Sequence, residues 1–310
     1  MKYHNNILRF LLVLSGLLPS LFLIGQDVPS KLLSIPVFHP MVFNPAIAGS
    51  KDFTNINLTS KAINFTKGQL ISMHTRLATP EGDYSHFGFG AYAFQEQLIQ
   101  SWHTGLAVTG AYHYWIDDEH LHNLAVGVAA KGFFMVPKTG EVSDLDSSHT
   151  VFRPNMDAGI YYYGPQGFGG LSVTTLFDTD FKGDSSLLFS TIDRQYHLFG
   201  GYKFVINKKL RIVIEPSLLV SLDDETLSEP IQHLVPYLKL YLQNFYLGTY
   251  LKDFDIFALF FQYQFPKFYT GVFLEFPRVG YLNDNNIIFE VSVGLNLGQG
   301  GPAFLQYRHW

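Results

Sequence analysis

Over residues 102–115 two kinds of side chain alternate without a break. Trp102, Thr104, Leu106, Val108, Gly110, Tyr112 and Tyr114 fall on one face of an extended segment. His103, Gly105, Ala107, Thr109, Ala111 and His113 fall on the other. The next segment repeats the pattern, with Leu124, Val126, Val128 and Ala130 against Ala125, Gly127, Ala129 and Lys131. A strand that is bulky and apolar on one face and small or polar on the other suits a barrel wall, with lipid outside and a lumen inside.

Composition narrows the choice further. Aromatic residues make up 16% of the 310-residue chain and charged residues only 15%, with 29 Phe and 18 Tyr. Mean hydropathy is +0.10, yet beyond residue 25 no apolar run approaches the roughly 18 residues of a spanning helix. The longest candidates are 256–261 and 124–130. Without helices, a chain in a bilayer satisfies every backbone N–H and C=O only by closing a sheet on itself. The sequence therefore predicts an all-β, transmembrane outer-membrane β-barrel of about 14 antiparallel strands with both termini periplasmic.

The N-terminus sets the compartment. Lys2 and Arg9 flank a polar start, and residues 10–25 carry no charge. This reads as a signal peptide over 1–25, cut before Gln26. An uncleaved anchor helix is the alternative, which Pro19 and Ser20 interrupt. With no cysteine there is no lipid-modified N-terminus, no disulfide framework and no thiolate metal site. A net charge of −5 gives no basis for nucleic-acid binding.

Gly, Pro, Asn and Asp clusters place strands near 53–60, 69–77, 85–96, 102–115, 121–136, 155–163 and 168–177. Seven more fall near 195–206, 209–221, 233–242, 245–251, 256–265, 267–276 and 286–297. Every second link is short, centred on 117–118, 165–166, 207–208, 243–244 and 266. Those between include 137–153, 178–194 and 223–232. Short links belong to the periplasmic side and long ones to the outside. The barrel thus covers 53–297, after a periplasmic lead-in over 26–52 and before a tail over 298–310.

Few residues suggest chemistry. Asp117, Asp118, Glu119, His120 and His122 form the densest set of metal-capable groups, but a solvated hairpin turn explains them and a third fixed ligand cannot be named. Asp144, Asp146 and His149 lie in a long loop, where polar residues need no further reason. No serine sits in a strained Gly-x-Ser-x-Gly turn. The expectation is no enzyme, no catalytic set, no metal and no cofactor. In the strand 287–295, Glu290 and Ser292 alternate with Phe289, Val291 and Val293, so they should face the lumen, Glu290 pairing with an internal base. Leu187, Leu188 and Phe189 are three consecutive bulky apolar residues in an outer loop, which makes them a candidate partner-binding patch.

One motif goes beyond patterning. Phe-Asn-Pro-Ala-Ile-Ala-Gly-Ser over 43–50 resembles the Asn-Pro-Ala-x-Ala-Gly-Ser signature of the PorP/SprF family of Bacteroidetes outer-membrane proteins, on Asn44, Pro45, Ala46, Ala48, Gly49 and Ser50. Similar blocks lie at 155–163, 170–173, 194–204, 216–218, 280–281 and 289–293. Residues 60–65 and 286–289 depart from the usual family pattern. The resemblance implies type IX secretion or gliding motility. Members either join the secretion apparatus, linked to periplasmic components, or hold secreted cargo with a type B C-terminal signal, adhesin-like, at the surface. The lipid bilayer and lipopolysaccharide would surround such a barrel. A passive pore or hydrophobic-ligand transporter is the rival class. Pro45 fixes Asn44 as extended, and Asn and Gly permit tight turns. Such a turn either folds into the barrel mouth, meets a periplasmic partner, or simply leads into the first strand.

Overall fold

The computed structural model describes residues 35–51, 53–63, 66–78, 84–97, 101–117, 121–137, 151–177, 194–252, 256–265, 267–277 and 288–298. Fifteen antiparallel strands run in chain order: β1 (Thr54–Ile63), β2 (Thr66–Ala78), β3 (Tyr84–Gln97), β4 (Ser101–Trp115), β5 (Asn123–Pro137), β6 (Val151–Tyr163) and β7 (Gly167–Thr174). They continue as β8 (Gln195–Tyr202), β9 (Phe204–Asn207), β10 (Ile212–Asp223), β11 (Leu234–Leu242), β12 (Phe245–Lys252), β13 (Ile256–Gln264), β14 (Phe268–Pro277) and β15 (Ile288–Leu297). Both β8 and β9 pair with β10, interrupted at Lys203, so they are one stave and the wall has fourteen. Strand β1 pairs with β15 along Thr54↔Leu297 to Ala62↔Phe289, and β10 pairs with β11. The sheet is therefore closed, with no free edge to leave backbone groups unpaired in lipid.

Alternation is obeyed along the wall. On β4 and β5, Leu106, Val108, Tyr112, Tyr114, Leu124, Val126 and Val128 face outward, while Ala107, Thr109, Ala111, His113, Ala125, Ala129 and Lys131 are buried inside. The outward band continues through Leu58, Phe89, Ile160, Leu171, Leu198, Leu218, Phe257, Phe261 and Phe289. At the end where β1 begins, outward aromatics gather: His86 stacks on Tyr112 and packs at a tilt on Trp115, Tyr202 packs on Phe204, and Phe265 stacks on Phe268. An aromatic girdle of this kind marks a membrane–water boundary.

The same end carries the tight turns. Gly164 N donates to Gly167 O at 2.9 Å, and Gln243 takes a left-handed φ of 53° in the turn from β11 to β12. At the opposite end, 224–233 is the one long connection among the described residues. Strand β6 begins at Val151, before Pro154, where the sequence suggested a later start. Pro154 pairs with Gly132 and points outward, so a residue read as a loop marker is accommodated in the wall. The signal-peptide residues 1–25, the patch Leu187, Leu188 and Phe189, the loop residues Asp144, Asp146 and His149, and most of the tail lie outside the described residues.

Candidate functional site

The lumen holds the chain's own N-terminal segment. A helical turn, α1 (Ile35–Phe38), leads into 3₁₀ turns at Pro40–Val42 and Pro45–Ile47. Between Val37 and Ser50 nearly every residue is buried. The sequence reads 26–52 as a lead-in whose signature turn either folds into the barrel mouth, meets a periplasmic partner or leads into β1; residues 35–51 of it lie within the wall. The reason is compositional: Val37, Phe38, Met41, Phe43 and Ile47 supply apolar volume, and 35–51 contains no carboxylate to keep in water.

Asn44 organises the plug. Its extended backbone caps the second 3₁₀ turn, and its Oδ1 accepts from Ala46 N at 2.9 Å. Its Nδ2 donates to the carbonyls of Ile160 (3.1 Å) and Leu171 (3.3 Å), facing residues of β6 and β7. Both ends of the amide are thus used, and Asn44 is fully buried.

Further bonds tie the plug around the wall. Ser172 Oγ donates to Phe43 O at 2.5 Å, and Asn57 Nδ2 donates to Phe38 O at 2.7 Å. His39 bridges Ser72 and Thr59 hydroxyls, both at 2.7 Å. His113 Nε2 donates to Ala48 O at 2.8 Å, and Gly49 N donates to His74 Nδ1 at 3.4 Å. The Phe43 ring meets Phe199 and His197 edge-on. Where the plug touches β3, β5 and β6 the wall is glycine. A Cβ at Gly88 would lie 2.1 Å from Ala48 O, at Gly127 within 2.5 Å of the Ala46 backbone, and at Gly159 2.2 Å from Asn44 Oδ1. Gly49 itself has φ +75°, and its Cβ would meet Gly88 Cα at 2.5 Å, so the signature's Gly49 is demanded twice over.

The rest of the lumen is packed with aromatic rings and ion pairs. Tyr237, Tyr250, Phe260 and Phe273 form a tilted stack on β11 to β14. Lys61 lies 3.5 Å from Glu290 and 3.7 Å from Glu275, Lys131 2.5 Å from Asp157, and Lys239 3.4 Å from Glu215. Glu290 and Ser292 both face the lumen and are fully buried. Ser292 Oγ donates to Asn57 Oδ1 at 2.7 Å, and Asn57 holds Phe38 O, so Ser292 supports the plug through one intermediate. Sequence reasoning did not single out Asn57, Ser72, His39, His113 or Ser172, whose roles exist only once the plug is seated.

Of the metal-capable set, Asp118, Glu119 and His120 lie outside the described residues, and the two described members are engaged elsewhere. Asp117 Oδ1 accepts from His122 N at 2.8 Å, which with other backbone donors lowers the Asp117 pKa, and His122 Nδ1 bonds Tyr162 Oη at 2.8 Å. Among the described residues no group of three or more His, Cys, Asp or Glu could hold a metal ion.

A closed fourteen-stave wall with an apolar outer band, an aromatic girdle and a polar lumen defines a transmembrane β-barrel, plugged from within by its own N-terminal segment. The family described as type IX secretion system membrane protein PorP/SprF matches residues 37–295, and the chain belongs to that family. The match starts inside the plug, so plug and wall form one family unit. No curated protein matches the chain. Among solved structures it is similar to the KdgM porin (11% identity, covering 79% of this chain and 99% of that one, TM-score 0.40). It is also similar to BamA from Haemophilus ducreyi lacking POTRA domains 1–3 (9% identity, 79% and 70% covered, TM-score 0.38). The barrel assignment rests on the closed sheet itself.

Proposed function

We propose that this barrel works as a binding platform that holds a secreted type IX partner, adhesin-like cargo with a type B C-terminal signal, at the cell surface. The observation that carries the reading is the seated plug. A lumen bonded to its own chain from β1 round to β8 favours the barrel's ends as its working surfaces over its interior, and argues against a passive pore or a hydrophobic-ligand transporter.

In this reading the long-loop end faces outward and meets the partner. The described loop there is preformed. Asp223 Oδ1 accepts from the N–H groups of Glu225 (3.1 Å) and Thr226 (2.8 Å) and from Thr226 Oγ1 (2.7 Å), and Tyr196 Oη donates to Asp224 at 3.0 Å. It presents Leu227 and Ile231, 47% and 76% exposed, among Asp223, Asp224, Glu225 and Glu229. Apolar anchors inside a charged rim are the usual anatomy of a specific protein interface. Leu187, Leu188 and Phe189, outside the described residues, repeat the same apolar chemistry in the sequence between β7 and β8. The barrel is proposed as non-catalytic, since among the described residues no acid, base and nucleophile converge on one open site.

Two serine variants test the platform, one at Leu187, Leu188 and Phe189 and one at Leu227 and Ile231. With the barrel present at normal levels, the partner should appear in the medium. Retention at the surface in both variants removes these loops as the anchor. If deletion of the whole protein blocks secretion generally, the barrel is instead a component of the secretion machinery linked to periplasmic elements.

A further inference from the structure

The short-turn end of the wall is unevenly charged. Between β9 and β10 the chain reads Lys208-Lys209-Leu210-Arg211, three cations in four residues. The adjoining turns, Gly164-Pro165-Gln166 and Gln243-Asn244, carry no charge, so neither brings a carboxylate beside those cations. Lys208 and Lys209 are exposed, and the apolar tip that follows them, Leu210, is 53% exposed. The turn nevertheless has a fixed shape. Asn207 Oδ1 accepts from Leu210 N at 3.0 Å, Arg211 takes a left-handed φ of 52°, and the Arg211 carbonyl accepts from Gln243 N at 3.4 Å.

Its depth follows from the wall above it. Ile206 faces lipid two residues before Lys208, about 7 Å along an extended strand. Ile212, paired with Asn207 and Leu242, points the same way directly after Arg211, since the next residue, Val213, is buried inside. On the same stave Tyr202 and Phe204 belong to the girdle, and Tyr202 Oη donates to Gln166 Oε1 at 2.7 Å. The cations therefore stand at the level of lipid headgroups, where long basic side chains lay their stems along apolar surface and keep their charges in the polar layer. A soluble anion would leave Leu210 in water. A phospholipid offers a phosphate to the cations and apolar carbons to the leucine.

We propose that the turn 208–211 is a binding surface for an anionic phospholipid of the periplasmic leaflet. Lys208, Lys209 and Arg211 hold the headgroup phosphate, and Leu210, with the rings of Tyr202 and Phe204, packs on the glycerol and the first acyl carbons. The lipid sits below the stave that is interrupted at Lys203, so it braces a break in the ladder. The surface lies at the opposite end from the loops of the anchoring reading and does not depend on it.

The test uses the full-length barrel in mixed micelles. Thermal unfolding is followed as phosphatidylglycerol, or phosphatidylcholine with the same acyl chains, is titrated in. Phosphatidylglycerol should raise the midpoint saturably, and phosphatidylcholine should not. Lys208→Gln and Lys209→Gln should each weaken that binding by about fivefold, and the two combined with Arg211→Gln should remove the preference. Leu210→Ser should also weaken it. Lys67→Gln, at an exposed position on the opposite end of the wall, should bind as the parent does. If the triple variant fails to assemble, Lys209→Gln carries the comparison. Equal responses to the two lipids, or a preference that survives in the charge variants, overturns the proposal. So does glycerol phosphate that binds as tightly as the lipid, which would mean a soluble anion, or a preference for lipopolysaccharide, which would put the turn in the other leaflet.

Discussion

At the scale of single residues, the plug is a problem of close approach. A side chain added at Gly127 would press on the Ala46 and Pro45 backbone, which cannot swing aside as a flexible side chain could. Gly127→Val should therefore unseat the plug or strain the wall, at a cost of about 1–3 kcal/mol or more. The control is Gly110→Val on the outer face, where a Cβ would meet nothing within 4 Å. Proteolysis of the assembled barrels reads the difference: cleavage within 35–51 should rise in the first variant and stay at the parental level in the second. Equal resistance in both would show that the plug tolerates the crowding. This also marks what could be read beforehand. The inward face of Gly127 follows from strand alternation, but its reason does not, because the partners of Asn44 and the plug backbone lie far along the chain. Asn44 is 116 residues from Ile160 and 127 from Leu171. A signal was nevertheless present in the inward glycines of β3, β5 and β6, Gly88, Gly127 and Gly159, which record something lying against the wall.

At the scale of elements, the strands were legible and the contents of the lumen were not. A two-residue period is local, so β4 and β5 declare their faces within a few residues. The alternation around Glu290 likewise gives its face but not its partner, Lys61, which sits on β1 and reaches β15 only through barrel closure. That pairing is consequential, since Lys61 stands between Glu290 and Glu275. Lys61→Met should cost about 3–5 kcal/mol, because two buried carboxylates lose their shared cation. Adding Glu290→Gln to that variant should recover part of the loss, read as the temperature at which the barrel loses its compact mobility in gel electrophoresis. No difference between the single and double variants would place the charge balance elsewhere. The plug element has its own titration. His39 lies in the plug, not in a spanning strand, and burial lowers its pKa from 6.5 to about 3. Its hydroxyl partners could accept from a protonated ring, so the cost of charging it is desolvation. The sign follows: a seated plug favours neutral His39, so docking is at full strength above pH 6.5 and weakens as pH falls from 6.5 towards 3. The slope approaches 1.4 kcal/mol per pH unit for this group. Hydrogen-exchange protection of plug amides should fall by about tenfold per unit below pH 6.5. His39→Gln should flatten that slope; an unchanged slope would remove His39 as its source.

At the scale of the whole molecule, strand number and plug have to be considered together. Barrels of about 8 strands are filled by their own side chains, while those of about 16 enclose an aqueous channel. Fourteen staves therefore leave a lumen that side chains alone would not close, and here the plug and the aromatic stack on β11 to β14 occupy it. The plug is held by many separate contacts: hydrogen bonds through Asn44, Phe38, His39, Phe43, Ala48 and Gly49, and apolar packing through Met41 and Ile47. Losing any one of these bonds leaves the others, so a single substitution such as Ser172→Ala should barely alter permeability. Removing the element is different. The parent barrel in planar bilayers should conduct far less than an open porin of similar strand number. A variant lacking residues 35–50 should show large, steady, weakly selective channels, provided it assembles to the same compact form. Linking plug to wall with a short thiol cross-linker across cysteines introduced at 39 and 72, whose side chains meet in the parent, should keep conductance low and leave retention of the proposed partner at the surface unchanged. A barrel that conducts fully with its plug in place, or that releases its partner once the plug is locked, would make the lumen and not the loops the working part of the protein.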